Sequence, residues 1–165
     1  MQAGSVKPIS KGYILIGMLV LMLVASYALT EASAKWSDTV KREREQTLLK
    51  VGDTYRKAIG SYYNQTPGIV KEYPPNLEVL VLDNRFVTPR RHIRKLYLDP
   101  VTQQAGWGLL QAPSGGIIGV YSLSSEMPIK RKSFRPIYKS FENQPIYGNW
   151  YFAYVPNVLP PNYFQ

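Results

Sequence analysis

The chain contains no cysteine and only one histidine, His92. It can therefore form neither a disulfide nor a thiolate metal site, and both a histidine-rich zinc centre and a Cys–His nucleophile pair are excluded. Acidic residues are also few, 11 against 20 Lys and Arg, which gives a formal net charge of +9 and a pI near 9.7. Such a charge suits an anionic partner without identifying one. We expect no cofactor.

The residues that could support catalysis are two carboxylate pairs and the histidine: Glu43/Glu45, Asp83/Asp99 and His92. The first pair lies among Arg and Lys on a helix face and the second flanks a basic stretch, so neither suggests the raised carboxyl pKa that general acid catalysis requires. His92 has no evident catalytic partner, and we interpret it as a surface residue in a basic segment. The sequence therefore predicts that the protein is not an enzyme.

Long apolar runs are absent except for one. Residues 13–29 read YILIGMLVLMLVASYAL, seventeen residues without a charge. About 20 apolar residues span a bilayer, with about 17 at the short end, and a helix in a globular core would show a polar face. A secretory signal peptide is the alternative, but this apolar core exceeds the usual length of about 7–15 residues. We therefore predict a transmembrane helix over residues 13–30, with its direction undetermined by flanking charge.

Residues 31–66 are predicted to continue the same helix, since no strong breaker appears before Thr66-Pro67-Gly68. Apolar residues recur every three or four positions at Leu48, Val51, Tyr55, Ala58 or Ile59, and Tyr62. The opposite side is predicted to be a solvated charged face made of Lys41, Arg42, Glu43, Arg44, Glu45, Lys50, Arg56 and Lys57. One helix from Tyr13 to about Asn64 then lays its apolar stripe on a soluble domain.

Residues 67–155 alternate short apolar runs with Gly and Pro. A short helix is predicted after Pro74-Pro75, with Leu77, Leu80 and Val81 facing inward. Strands are predicted at 107–110, 117–123 and 149–155, the first two as a hairpin. The last strand has two apolar faces, so it is either central in the sheet or covered on one side by the long helix. The expected fold class is α+β, a long helix packed on a small antiparallel sheet, followed by a Pro-rich tail at 156–165.

The sequence Lys11-Gly12-Tyr13-Ile14-Leu15-Ile16 and the apolar run after it resemble the N-terminal signal of type IV pilins and of type II secretion pseudopilins. The segments YPPNLEVLVLDNR, RHIRKLYLDPVT, WGLL and GGIIGVYSLSSEMPIK are similar to secretion-type pseudopilins. The resemblance implies a pilin-like fold. It also implies a leader at 1–12 that a prepilin peptidase removes, cutting between Gly12 and Tyr13 and methylating the new N-terminus.

Two positions depart from the family pattern. The family usually has Glu at the fifth mature position, where it is thought to pair with a neighbouring subunit's amine, and here that assembly position is Gly17. Major secretion pseudopilins also bind calcium in an acidic C-terminal loop. After Asp99 this chain has only Glu126 and Glu142, too few carboxylates for a hard cation, so we expect no calcium site there.

Basic segments supply the candidate contacts for an anionic partner, namely Arg90, Arg91, Arg94, Lys95, Lys130, Arg131 and Lys132. We interpret them first as solvated or structural charge. In that interpretation Ile93 and Leu96 lie in a core-facing turn whose arginines pair with carbonyls or with Asp99. An anionic lipid or acidic partner subunit is the second interpretation, and DNA the least favoured.

By resemblance, the protein is expected to be a membrane-anchored pseudopilin-like structural subunit of a bacterial type II secretion or related pilus machine. It would span the inner membrane once, place its C-terminal domain in the periplasm, and assemble by helix packing into a short filament. Its partners would be other pseudopilin or pilin subunits, the prepilin peptidase, the inner-membrane assembly platform and the membrane itself. Two alternatives stay open, a minor type IV pilin that serves DNA uptake and an uncleaved single-pass anchored binding module.

Overall fold

The computed structural model describes residues 11–156, and at positions 11 and 29–34 it describes the backbone alone. Most of the predicted leader and of the Pro-rich tail therefore lies outside the described residues. The chain divides into two compact units, Met1–Val40 and Lys41–Gln165. The second unit contains the sheet and the core.

Helix α1 (Lys11–Asn64) is 54 residues long, which confirms the single long helix predicted from the sequence. Threonine and serine hydroxyls within it donate to carbonyls one turn earlier, as Thr47 does to Glu43 and Thr54 to Lys50. The helix ends before Pro67, which cannot continue it, and Gly68 has a φ of +85°. In the part of the chain that the structure describes, no helix has the length and hydropathy that a membrane crossing requires, so the transmembrane helix over residues 13–30 stays a prediction.

The sheet has three antiparallel strands, β1 (Gly108–Gln111), β2 (Ile117–Tyr121) and β3 (Phe152–Ala153), in the order β1-β2-β3. The predicted hairpin is confirmed, with Leu109 opposite Val120. Its turn needs glycine, because Gly115 and Gly116 have φ values of +88° and +82°.

The third strand is shorter than predicted and lies at an edge, so its interpretation as a central strand is wrong. Residues just before it form a 3-10 turn, Tyr147–Asn149, and only two residues pair with β2. The alternative interpretation is confirmed, because α1 covers this segment. A Cβ on Gly52 of the helix would lie 2.5 Å from ring carbons of Phe152.

The helix predicted after Pro74-Pro75 is a single 3-10 turn, Glu78–Leu80. Its inward residues were predicted correctly, since Leu80 is fully buried and Leu77 and Val81 pack against the core. A longer 3-10 segment, Pro136–Phe141, precedes the final strand.

The core is rich in aromatic side chains and joins α1 to the sheet and to the C-terminal segments. Phe141 and Trp150 stack with ring centroids 5.3 Å apart, and Phe152 packs edge-on against Phe141. Such ring pairs add about 0.5–1.5 kcal/mol each beyond the area they bury. Among the described residues, α1 contributes the buried apolar side chains Leu48, Tyr55, Ala58, Ile59 and Tyr62. The protein is thus an α+β protein with helical structure packed on a small antiparallel sheet.

Candidate functional site

The first part of α1 presents apolar side chains on every side. Each large apolar residue described from Tyr13 to Tyr27 has between 53% and 76% of its surface exposed within the chain. Burying one such side chain stabilises a protein by about 1.5–3 kcal/mol. This surface can therefore drive association with apolar material.

The candidate processing and assembly residues all lie on this part of α1. Gly12 and Tyr13 occupy its first turn, and Gly17 follows one turn later. A Cβ on Gly12 or Gly17 would meet no atom within 4 Å. No contact of the described chain therefore requires glycine at either position.

Farther along α1, the carboxylate of Glu45 is buried and holds a distant loop. Its oxygens accept hydrogen bonds from the backbone N–H groups of Ile129 (2.8 Å) and Lys130 (3.1 Å) and from the Tyr147 hydroxyl (2.9 Å). Burial, followed by this bond to Glu45, raises the pKa of Tyr147 well above its usual range. The prediction that Glu45 lies on a solvated face is wrong, because its position continues the buried stripe one turn before Leu48.

A groove of about 460 Å³, which we call the basic groove, lies between α1 and the segment 130–138. Its first wall is a face of α1, whose residues recur every three or four positions. The contacts of Glu45 fix the second wall at Lys130. The lining residues are Gln46, Leu49, Lys50, Asp53, Thr54, Lys57, Lys130, Phe134, Arg135 and Tyr138.

Asp53 is the single carboxylate among the lining residues, and it is already paired. It binds Lys57 at 2.8 Å and Arg56 at 2.9 Å and accepts the hydroxyl of Tyr138. Burial alone would raise the pKa of Asp53, but hydrogen bonds from Lys57, Tyr138 and Arg56 outweigh it and lower the pKa to about 2. Asp53 is therefore ionised at neutral pH and its charge is compensated.

The predicted basic contacts separate into two groups. Lys130 lines the groove, while Arg131 donates to the sulfur of Met127 and Lys132 is exposed. No hydrogen bond or ring contact among the described residues joins this segment to residues 90–95.

In the other basic segment, Arg90 donates to Gln65 and lies over the Phe86 ring, and Lys95 lies over the Tyr97 ring. Arg91 and Arg94 are exposed. Of the predicted core-facing turn, Ile93 is buried but Leu96 is exposed. Among the described residues, Asp99 forms no ion pair with an arginine. Its carboxylate instead accepts the Ser122 hydroxyl at 2.6 Å and the N–H of Val101.

His92 is not a surface residue, which corrects the prediction. Its side chain is 1% exposed, its Nδ1 lies 2.8 Å from Ser61 Oγ, and its Nε2 lies 3.1 Å from Asp83 Oδ2. This order of groups resembles a Ser-His-Asp triad. However, the backbone N–H of Ser61 lies inside α1, where it cannot stabilise an oxyanion. The hydroxyl of Ser61 also already accepts a hydrogen bond from the Gln65 side chain.

The Asp83 carboxylate also binds Arg85, and Arg85 ties Asp83 and His92 to the end of α1. Arg85 donates to Asp83 at 2.8 Å and to the carbonyl of Tyr62 at 3.1 Å, and lies over the Tyr62 ring. A cation at a helix C-terminus satisfies free carbonyls and the helix dipole. Burial alone would raise the pKa of Asp83, but hydrogen bonds from Arg85 and then His92 hold it well below its usual range. The cluster has a structural role, fastening residues 83–92 to the helix.

The remaining acidic candidates lie in separate surroundings. Glu43 is exposed, whereas Glu45, Asp83 and Asp99 are buried, each with separate partners. Among residues 11–156, no group of three or more His, Asp or Glu side chains lies close enough to hold a metal ion. Comparison with known proteins adds no relative, since no family model, curated protein or solved structure matches the chain.

Proposed function

We propose that the protein is a pseudopilin-like structural subunit, anchored in the bacterial inner membrane by residues 13–30, with its C-terminal domain in the periplasm. The observation that carries the proposal is helix α1. Its residues 13–28 expose apolar side chains all round, and its residues 45–62 form one wall of an α+β core. A filament held together by helix packing requires such a helix, with one part that exposes apolar side chains and another that packs into a folded domain.

In this proposal the function is mechanical. Before assembly, the apolar part of α1 lies among lipid tails. When an assembly platform extracts the chain, contacts with the apolar helices of neighbouring subunits replace the contacts with lipid. Helix association in lipid depends on close packing and on few polar contacts. Gly17, where a Cβ would meet no atom of the described chain within 4 Å, leaves space for a neighbouring helix.

Gly17 also bears on the position of the subunit. An unpaired carboxylate in the membrane costs roughly 2.5–3.5 kcal/mol on insertion scales, so the family's Glu needs a partner amine. A subunit with Gly17 neither bears that cost nor attracts an amine, but its own amine at Tyr13 can pair with a neighbour's Glu. This favours the tip of a mixed filament over its repeating shaft.

The experiment for this proposal is to express the full chain with an active prepilin peptidase and determine its N-terminus by mass spectrometry. We expect the mature chain to begin at methylated Tyr13. Gly12→Val should abolish cleavage because a branched side chain replaces the glycine that the resemblance places before the cut. Gly4→Val, the same change away from the cut, should leave cleavage unchanged. An intact N-terminus in cells with active peptidase would contradict the proposal.

A further inference from the structure

We infer that the basic groove binds an acidic segment of a partner protein. The groove is built entirely from residues 46–57 and 130–138, so it is present whether or not the leader is cleaved. The inference therefore stands independently of the proposed membrane anchoring and assembly.

Uncompensated positive charge is the first observation. Four cationic side chains line the groove, and the carboxylate of Asp53 is already bound by Lys57 and Arg56. Within the described chain, Lys50, Lys130 and Arg135 form no ion pair. Like charges gathered at one concave surface raise the local concentration of anions and strengthen their binding.

The second observation is that the groove is held in shape before any ligand arrives. Glu45 fixes the backbone at Lys130, and the Tyr138 hydroxyl is bonded to Asp53 and Arg56. The ammonium of Lys130 lies 4.8 Å from the centre of the Phe134 ring, which orients it. A preformed site loses less conformational entropy when its ligand binds.

The lining also indicates the chemistry of the ligand. Leu49 and Phe134 give the groove an apolar component, and a volume of about 460 Å³ has room for several side chains rather than one ion. A peptide with carboxylates beside apolar side chains matches both features. A phosphate group would lack its usual backbone donors, since α1 lines the groove with its middle turns and not with its N-terminus.

Two other occupants fit less well. Nucleic acid bases need free aromatic faces, but the Tyr138 ring stacks on Phe141 and the Phe134 ring packs against Trp150. A second copy of this chain carries the same net charge of +9, so association between copies through a basic surface is opposed by repulsion. The partner is therefore a different protein.

The test is a titration of the full chain, in uncharged detergent micelles, with a synthetic peptide in which pairs of glutamates alternate with leucine. Isothermal calorimetry should detect saturable binding that weakens with added salt. Lys50→Gln combined with Arg135→Gln should weaken it about tenfold. The matched control, Arg91→Gln combined with Arg94→Gln, removes the same charge from exposed positions outside the groove and should change affinity less than about twofold.

A second measurement uses the unmodified chain. NMR signals of the Phe134 and Tyr138 rings should shift on addition of the peptide, and a peptide with glutamine in place of glutamate should shift neither. The inference is overturned if the acidic peptide does not bind, or if the groove and control variants weaken binding equally. It is also overturned if phosphatidylglycerol vesicles or duplex DNA bind in the groove more tightly than the peptide.

Discussion

The substitution Glu45→Ala should lower the free energy of unfolding by about 3–5 kcal/mol. The carboxylate accepts hydrogen bonds from two backbone N–H groups and the buried hydroxyl of Tyr147, and alanine leaves all three without an acceptor. An unsatisfied buried donor costs about 1–3 kcal/mol. Chemical denaturation of the full chain in uncharged detergent measures the change. Near-UV circular dichroism reports it, because Tyr147 and Trp150 lie in the core.

Glu43→Ala is the matched control, since Glu43 is an exposed glutamate on the same helix. It should change the free energy of unfolding by no more than about 0.5 kcal/mol. Glu45→Gln keeps one acceptor oxygen and should fall between the two. Equal stability of Glu45→Ala and Glu43→Ala would contradict the network around the buried carboxylate.

The substitution Gly52→Val should destabilise the protein by about 3 kcal/mol. The Cβ alone would lie 2.5 Å from ring carbons of Phe152, which has no exposed surface and packs against the rings of Tyr138 and Phe141. The ring has no open space to enter, so helix and strand must separate. Overpacking of a core costs about 1–3 kcal/mol and occasionally more.

The same substitution at Gly17 provides the comparison, because a Cβ there meets nothing within 4 Å. Gly17→Val should leave the denaturation midpoint of the core unchanged. Thermal unfolding followed by near-UV circular dichroism compares the two variants under one set of conditions. A Gly52→Val protein as stable as the unmodified chain would show that the helix does not approach the strand so closely.

The parts of the fold that could be predicted are those whose signals are local. The long helix follows from helix formers without a breaker before Pro67, and the hairpin follows from Gly115-Gly116 between two apolar runs. The length of the last strand could not be predicted. Alternating aromatic residues at 150–154 fit an extended segment beside α1 as well as a longer strand, and only two of its residues pair.

The buried polar groups were missed because their partners are distant in sequence. Glu45 stands within a charged run, and nothing local shows that Tyr147, 102 residues later, supplies a buried hydroxyl. The signal available in the sequence for the burial of Glu45 is its position on the apolar stripe, one turn before Leu48. His92 likewise stands in a basic segment, and its burial depends on Ser61 and Asp83. The groove combines Lys50 with Arg135, which no sequence spacing relates.

The proposal that this chain is a helix-packed filament subunit is tested most directly by photo-crosslinking in cells that contain an active secretion or pilus machine. A benzoylphenylalanine at Leu19, an exposed position in the apolar part of α1, reports what covers that surface. We expect an adduct with a second pilin-like subunit that has Glu at its fifth mature position. The adduct should be lost when the assembly ATPase is inactivated. Adducts with lipid alone in cells with an active machine, or a long homopolymer of this chain without a Glu-bearing partner, would contradict the proposal.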